Sequence, residues 1–113
     1  MKMYILENNK PVEAADEKQF FDWMSKNKGI AREISGVSTI STVFLGFDHG
    51  GLYNISTSGK PVLFETMIFG GEHNGYQKRY LEYEEAIQGH NDAVELVNKM
   101  QINREMRLDE LGI

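Results

Sequence analysis

The side chains in this sequence best suited to chemistry are Asp48, His49, Glu65, Thr66, Lys78, Arg79 and His90. Asp48-His49 closes the apolar run STISTVFLGF. An Asp-His step at the end of a rigid strand can orient an imidazole for acid–base work or offer metal ligands. Glu65 and Thr66 interrupt PVLFETMIFGG. A carboxylate among such neighbours must be paired, face solvent or shift its pKa, because burying it alone is expensive. Arg79, beyond the turn GGEHNG, is its natural cross-strand partner, and a structural Glu65–Arg79 pair is the bland reading. The sharper reading gives Glu65 a ligand-binding or catalytic role, since perturbed carboxylates gather at sites. Lys78 and Arg79 together offer cations to a phosphate or carboxylate.

These residues match no catalytic signature. His49, His73 and His90 come from unrelated segments and show no HExxH-like spacing, so no metal site is expected. Gly50-Gly51 and Gly70-Gly71 fit neither GxGxxG nor GxxxxGK[ST] and read as turn glycines. Ser38, Ser41, Ser56 and Ser58 lack a nucleophile-elbow context. There is no cysteine, hence no disulfide, thiolate site or cysteine nucleophile. No cofactor is implied.

The elements that position these groups read as an α+β fold. YILENNKPVEA predicts a hairpin about Asn8-Asn9, with Pro11 on an edge. Asp16 and Gln19 form a capping-box pattern that opens a short helix over about 16–28, with Phe20, Trp23 and Met24 on its apolar side and Gly29 ending it. Strand character begins at Ile30 and is strongest in STISTVFLGF, whose apolar residues on both faces predict a central strand covered on each side. Strands near 38–47, 61–70 and 76–81 make an antiparallel meander, with Phe44, Phe64 and Ile68 as core. A polar, glycine-rich stretch, Asp48 to Lys60, links the first two and carries Tyr53 and Ile55. A long C-terminal helix starts near Glu82 and packs on the sheet through Tyr83, Ile87, His90, Val94 and Val97, widened by Ala86, Ala93 and Met100. Gly89 within it predicts close packing. Beyond Met100 the apolar positions Ile102, Met106, Leu108 and Leu111 rotate off that stripe, as a bend, a second short helix or a partner contact would require.

At 113 residues the chain reads as a single domain, 41% hydrophobic and 26% charged, with six Phe, five Tyr and one Trp to fill its core. Its net charge of −5 opposes general nucleic-acid binding. Met1-Lys2-Met3-Tyr4-Ile5-Leu6 is too short for a signal peptide's apolar region. No stretch approaches the roughly 20 apolar residues of a membrane span. A cytoplasmic location is the expectation.

Ser41–His49 (STVFLGFDH), Leu63–Gly71 (LFETMIFGG) and Arg79-Tyr80 with Glu84, Glu85, Ala86, Gly89 and His90 together resemble a family of small phage- and prophage-encoded proteins. The resemblance is firmest over residues 37 to 97. Where that family has Ser-Thr and a Trp before Glu-Glu-Ala, this chain has Leu81-Glu82-Tyr83, a weaker helix cap; the loop GGLYNISTSGK also departs from it. The resemblance implies a viral accessory protein, acting in an infected or lysogenic bacterial host, and names no activity; combined with the absence of catalytic motifs it makes the leading expectation a non-enzymatic protein that binds a host protein or sequesters a small anionic signal molecule in host takeover or anti-defence. The ligand-binding set would be Asp48, His49, Glu65, Thr66, Lys78, Arg79 and His90. The alternatives are a small metal-assisted or acid–base enzyme using Asp48, His49 and Glu65, and a minor virion structural or assembly protein. Few strands with edges to cover, together with the apolar C-terminal positions, predict a homodimer or higher homo-oligomer.

Overall fold

The computed structural model describes residues 2–49 and 59–110, with residues 100–110 described as backbone. Strands β1 (Tyr4–Glu7) and β2 (Lys10–Glu13) form the predicted hairpin. Asn8 and Asn9 both take positive φ, at 51° and 65°, the geometry a two-residue turn needs to match strand twist. Helix α1 (Glu17–Asn27) opens as expected: Asp16 accepts from the Gln19 N–H at 2.8 Å, and Gln19 Oε1 accepts from the Ala15 N–H at 2.6 Å. Gly29 does not act as a left-handed cap. The helix ends at Asn27, Lys28 stays right-handed, and the Lys28 carbonyl is taken by the Phe44 N–H at 2.9 Å, so the chain passes straight into a strand.

That strand is β3 (Gly29–Ser35), followed by β4 (Ser38–Phe44), β5 (Phe64–Phe69) and β6 (Gln77–Tyr80), antiparallel throughout in the order β3-β4-β5-β6. The sheet therefore has one strand more than the meander read from sequence, because Gly36, at φ 59°, turns β3 into β4. Helix α2 (Tyr83–Glu110) packs on the sheet. Its weak cap is partly restored by Glu85, whose Oε1 accepts from the Glu82 N–H at 3.0 Å. The helix runs unbroken to Glu110 with no second helix after Met100. The apolar side chains expected at Ile102, Met106 and Leu108, and Leu111 itself, lie outside the described residues, as do Tyr53 and Ile55.

Strand alternation sorts the sheet into two faces. Ile40, Thr42, Phe44, Phe64, Thr66, Ile68 and Tyr80 point to the inner face, where α2 covers them with Ala86, His90, Ala93 and Val97. Phe44, Phe64 and Ile68 are fully buried, as predicted. Gly89 lets the helix lie close against the sheet: a Cβ there would run into the Tyr80 ring. Trp23 and Met24 of α1, with Tyr4 and Leu6 of β1, close the Phe44 end of this core. The expectation that β4 is covered on both faces is corrected. Ser38, Ile40, Thr42 and Phe44 are buried while Thr39, Ser41 and Val43 between them are partly exposed, since a single helix layer shields only one side.

Among the described residues, no helix is long and apolar enough to cross a membrane.

Candidate functional site

Register places the candidate residues on opposite sides of the sheet. On the outer face, Glu65 lies across from Arg79 and Val43. Arg79 Nε donates to Glu65 Oε2 at 2.9 Å and Gln77 Nε2 donates to the same oxygen at 2.6 Å. The carboxylate is thus held by two donors with only a tenth of its side chain exposed. The strand end next to it is knitted by Asp48 and His49. Asp48 Oδ1 accepts from the Val62 N–H at 2.8 Å, and the His49 N–H donates to the Val62 carbonyl at 2.9 Å. Arg79 Nη1 reaches the His49 carbonyl at 3.4 Å. His49 Nδ1 lies 2.8 Å from the Phe47 carbonyl; a carbonyl only accepts, so Nδ1 is the donor. Asp48, His49, Glu65 and Arg79 are therefore brought together, with Gln77 as a member the sequence did not single out.

Thr66 and His90 belong to the inner face. Thr66 Oγ1 and Thr42 Oγ1 are 2.6 Å apart, Thr42 Oγ1 and His90 Nδ1 2.7 Å, and His90 Nε2 and Glu33 Oε1 3.3 Å. An ionised carboxylate only accepts, so His90 Nε2 carries the proton toward Glu33. With the ring neutral, Nδ1 accepts from Thr42, and Thr42 accepts from Thr66. Carboxylate, imidazole and hydroxyl in that order are the parts of a nucleophilic triad. Here, however, Thr42 and Thr66 are wholly buried and His90 is 2% exposed. A hydroxyl shut beneath a helix meets no substrate; the chain of bonds fastens α2 to β3, β4 and β5. Next to it the Tyr80 hydroxyl is buried without a hydrogen-bond partner of normal geometry. Burial pushes the Tyr80 phenol up from its usual pKa of 10.0, and the nearby Thr66 side chain works against that rise.

Lys78 is separated from Arg79 by the strand alternation. Its Nζ lies 5.8 Å from the centre of the Tyr80 ring, so Lys78 and Arg79 do not converge on one anion. His49, His73 and His90 do not converge either, and among the described residues no group of three or more His, Cys, Asp or Glu is arranged to hold a metal ion.

The outer face has an apolar end as well. Ile34, Thr39 and Phe69 are cross-strand neighbours in one row, and Arg32, Ser41, Met67 and Gln77 in the next. Ile34 is 67% exposed, Phe69 50%, and Val37 in the adjoining turn 79%. Gly70 and Gly71, at φ 83° and 78°, let the end of β5 pass against the Val37 carbonyl and the Ser38 hydroxyl, where side chains would collide. The row could have been found by alternation once β3 was recognised as a strand.

Among the described residues, two clefts flank the β1–β2 turn. One of about 310 Å³ is bounded by Asn8, Asn9, Trp23, Asn27, Gly29 and Tyr83. The other, of about 440 Å³, includes Tyr4, Pro11, Pro61 and Leu81 with the Lys60–Glu82 ion pair. None of the seven residues chosen from sequence lines either cleft.

The chain matches no protein-family model, no curated protein and no solved structure.

Proposed function

We propose that this chain is a non-enzymatic accessory protein of phage or prophage type that binds a host protein through the open face of its four-stranded sheet. The observation that carries this reading is the row Ile34–Thr39–Phe69, with Val37 beside it, left exposed on a face that no described helix covers. Contiguous exposed apolar side chains rimmed by polar ones mark interaction surfaces. The polar rim suits a partner of acidic character. Among the strand residues of this face the charged ones are Arg32, Glu65 and Arg79; the Arg79–Glu65 pair cancels, which leaves Arg32 as the excess charge in a protein whose net charge is −5.

The disposition of the reactive groups supports binding over catalysis. Glu65 is engaged by two donors, Asp48 caps a backbone amide, and His90 and Thr66 are sealed under α2. It also favours a protein over a small anion, because Arg79 is neutralised by Glu65 and Lys78 faces away from it.

A photo-crosslinking residue at position 69 or 34, expressed in a bacterial host, tests the reading. Both positions should trap the same protein, and one at Lys18 on the far helix should not. Trapping of nothing but further copies of this chain at positions 69 and 34 would refute it.

A further inference from the structure

The two edges of the four-stranded sheet are finished differently. β6 is four residues long and carries Lys78 and Arg79, a short basic edge of the kind that discourages further pairing. β3 is seven residues long, without proline or lysine, and among the described residues no strand lies beyond it. A bulge between Gly29 and Ala31 distorts its start, which leaves 31–35 as regular strand. Ser35 and Ser38 face each other across the two-residue turn Gly36-Val37, so they form a hydrogen-bonded pair and the ladder alternates from there. The same alternation, carried across Ile40 and Ile68, puts the Ile68 N–H on the Tyr76 carbonyl at 3.1 Å on the far side of β5. Ala31, Glu33 and Ser35 therefore direct their N–H and C=O groups to β4. Arg32 and Ile34 direct theirs outward, and among the described residues no backbone hydrogen bond meets them.

A second copy of this chain fits that edge poorly. Antiparallel self-pairing needs a twofold axis normal to the sheet that brings outward-directed residues together. Centred on position 32, it sets the Arg32 side chains of the two copies against each other. Centred on 33, it opposes their Glu33 side chains at the closer, non-hydrogen-bonded spacing. Glu33 keeps 52% of its side chain exposed even with His90 Nε2 at 3.3 Å. Centred on 34, it pairs only three strand residues before reaching the Gly36 turn. Like charges directly opposite are destabilising, so Arg32 and Glu33 work against self-association but not against a strand of complementary charge order.

Resting on the open-face reading above, we propose that the host protein docks an extended segment antiparallel along β3 and continues the sheet. Every ladder in this sheet is antiparallel, the slightly more stable pairing per residue. From its N-terminal side the segment carries an apolar residue opposite Ile34, a basic one opposite Glu33 and an acidic one opposite Arg32. Backbone bonds to Arg32 and Ile34 supply the hold, and the three side chains supply the specificity. The apolar residue extends the exposed row Ile34–Thr39–Phe69 by one strand on the same face.

The isotope-labelled full chain is titrated by NMR with the peptide acetyl-TTVKETT-amide, in which valine, lysine and glutamate take those three places. A second peptide, acetyl-TTVEKTT-amide, sets like charges against Glu33 and Arg32. The expected result is a saturable shift and slowed solvent exchange at the Arg32 and Ile34 amides, with at least tenfold weaker binding of the second peptide. Arg32→Glu should erase the preference between the two. N-methylation of the first peptide at valine, whose N–H points at β3, should abolish binding, whereas N-methylation at lysine, whose N–H points away, should not; this control leaves the protein's own fold untouched. No saturable shift with either peptide, equal affinity for both, binding indifferent to N-methylation at valine, or Arg32 and Ile34 amides already protected in the free chain would each overturn strand addition. None of these outcomes involves the host protein, so trapping at position 69 still decides the open-face reading by itself.

Discussion

Arg79 stands directly across the β5–β6 ladder from Glu65 and closes on its carboxylate at 2.9 Å. Glu65 is nearly buried, whereas Arg79 keeps about two-fifths of its side chain in solvent, so the pair falls between surface and buried limits. Arg79→Ala, which leaves the carboxylate with Gln77 alone, should cost about 2 kcal/mol. A double-mutant cycle with Glu65→Gln should give a coupling of about 1 kcal/mol by chemical denaturation. Zero coupling would mean the pair contributes nothing and would return Glu65 to the list of site candidates.

The fastening of α2 onto the sheet makes a second prediction. Thr42→Val removes the hydroxyl shared by Thr66 and His90 and leaves both without their common partner. It should destabilise by about 1–3 kcal/mol although valine fits the strand and the volume. Thermal melting of Thr42→Val beside Thr39→Val, a partly exposed control on the opposite face, separates this loss from any effect of strand propensity.

Some of this was legible in the sequence, and the reasons are local. The Asp16–Gln19 box and the Asn8-Asn9 turn depend on residues within four positions of one another. The Glu65–Arg79 pair follows once GGEHNG is read as a turn, because a hairpin fixes register. The chain from Glu33 through His90 to Thr42 was not legible. Its members are 57 and 48 residues apart, and a threonine in a strand is ordinary whether or not it bonds to a helix. β3 was only half legible because GIAREIS mixes charged and apolar residues, as an edge strand can. The two clefts form where hairpin, helix and sheet meet, which no single segment announces.

Tyr80 supplies the pH dependence. Burial raises its folded pKa above the unfolded value of 10.0, so unfolded chains release this proton first as pH climbs. Its contribution is fully present below pH 10 and is lost as pH rises through the folded pKa. Tyr80→Phe should therefore flatten the fall in melting temperature above pH 10. At neutral pH it should cost less than about 1 kcal/mol or stabilise, because the buried hydroxyl it removes has no good partner. A loss of several kcal/mol at neutral pH would show that the hydroxyl is bonded after all.

Gly89→Ala should destabilise by about 1–3 kcal/mol through overpacking against Tyr80. Helix propensity alone would have it stabilise by about 1 kcal/mol, so the sign of the change in denaturation midpoint decides which effect governs.

The homodimer or higher homo-oligomer expected from the sequence is tested by light scattering coupled to gel filtration. A mass of twice 12.9 kDa that falls to a single chain on truncation after Met100 would assign the interface to the end of α2. A doubled mass that survives truncation would place the interface elsewhere, and a single-chain mass at micromolar concentration would exclude the dimer.

The claim that the open sheet face is the binding surface is tested most directly by measuring how tightly the protein trapped at positions 69 and 34 binds to the Ile34→Asp, Phe69→Asp double variant. Both side chains are exposed, so the melting temperature should stay within a few degrees of the parent. Binding should weaken at least a hundredfold, because two apolar anchors are replaced by charges that an acidic partner repels. Unchanged affinity in a variant that remains folded would contradict the account.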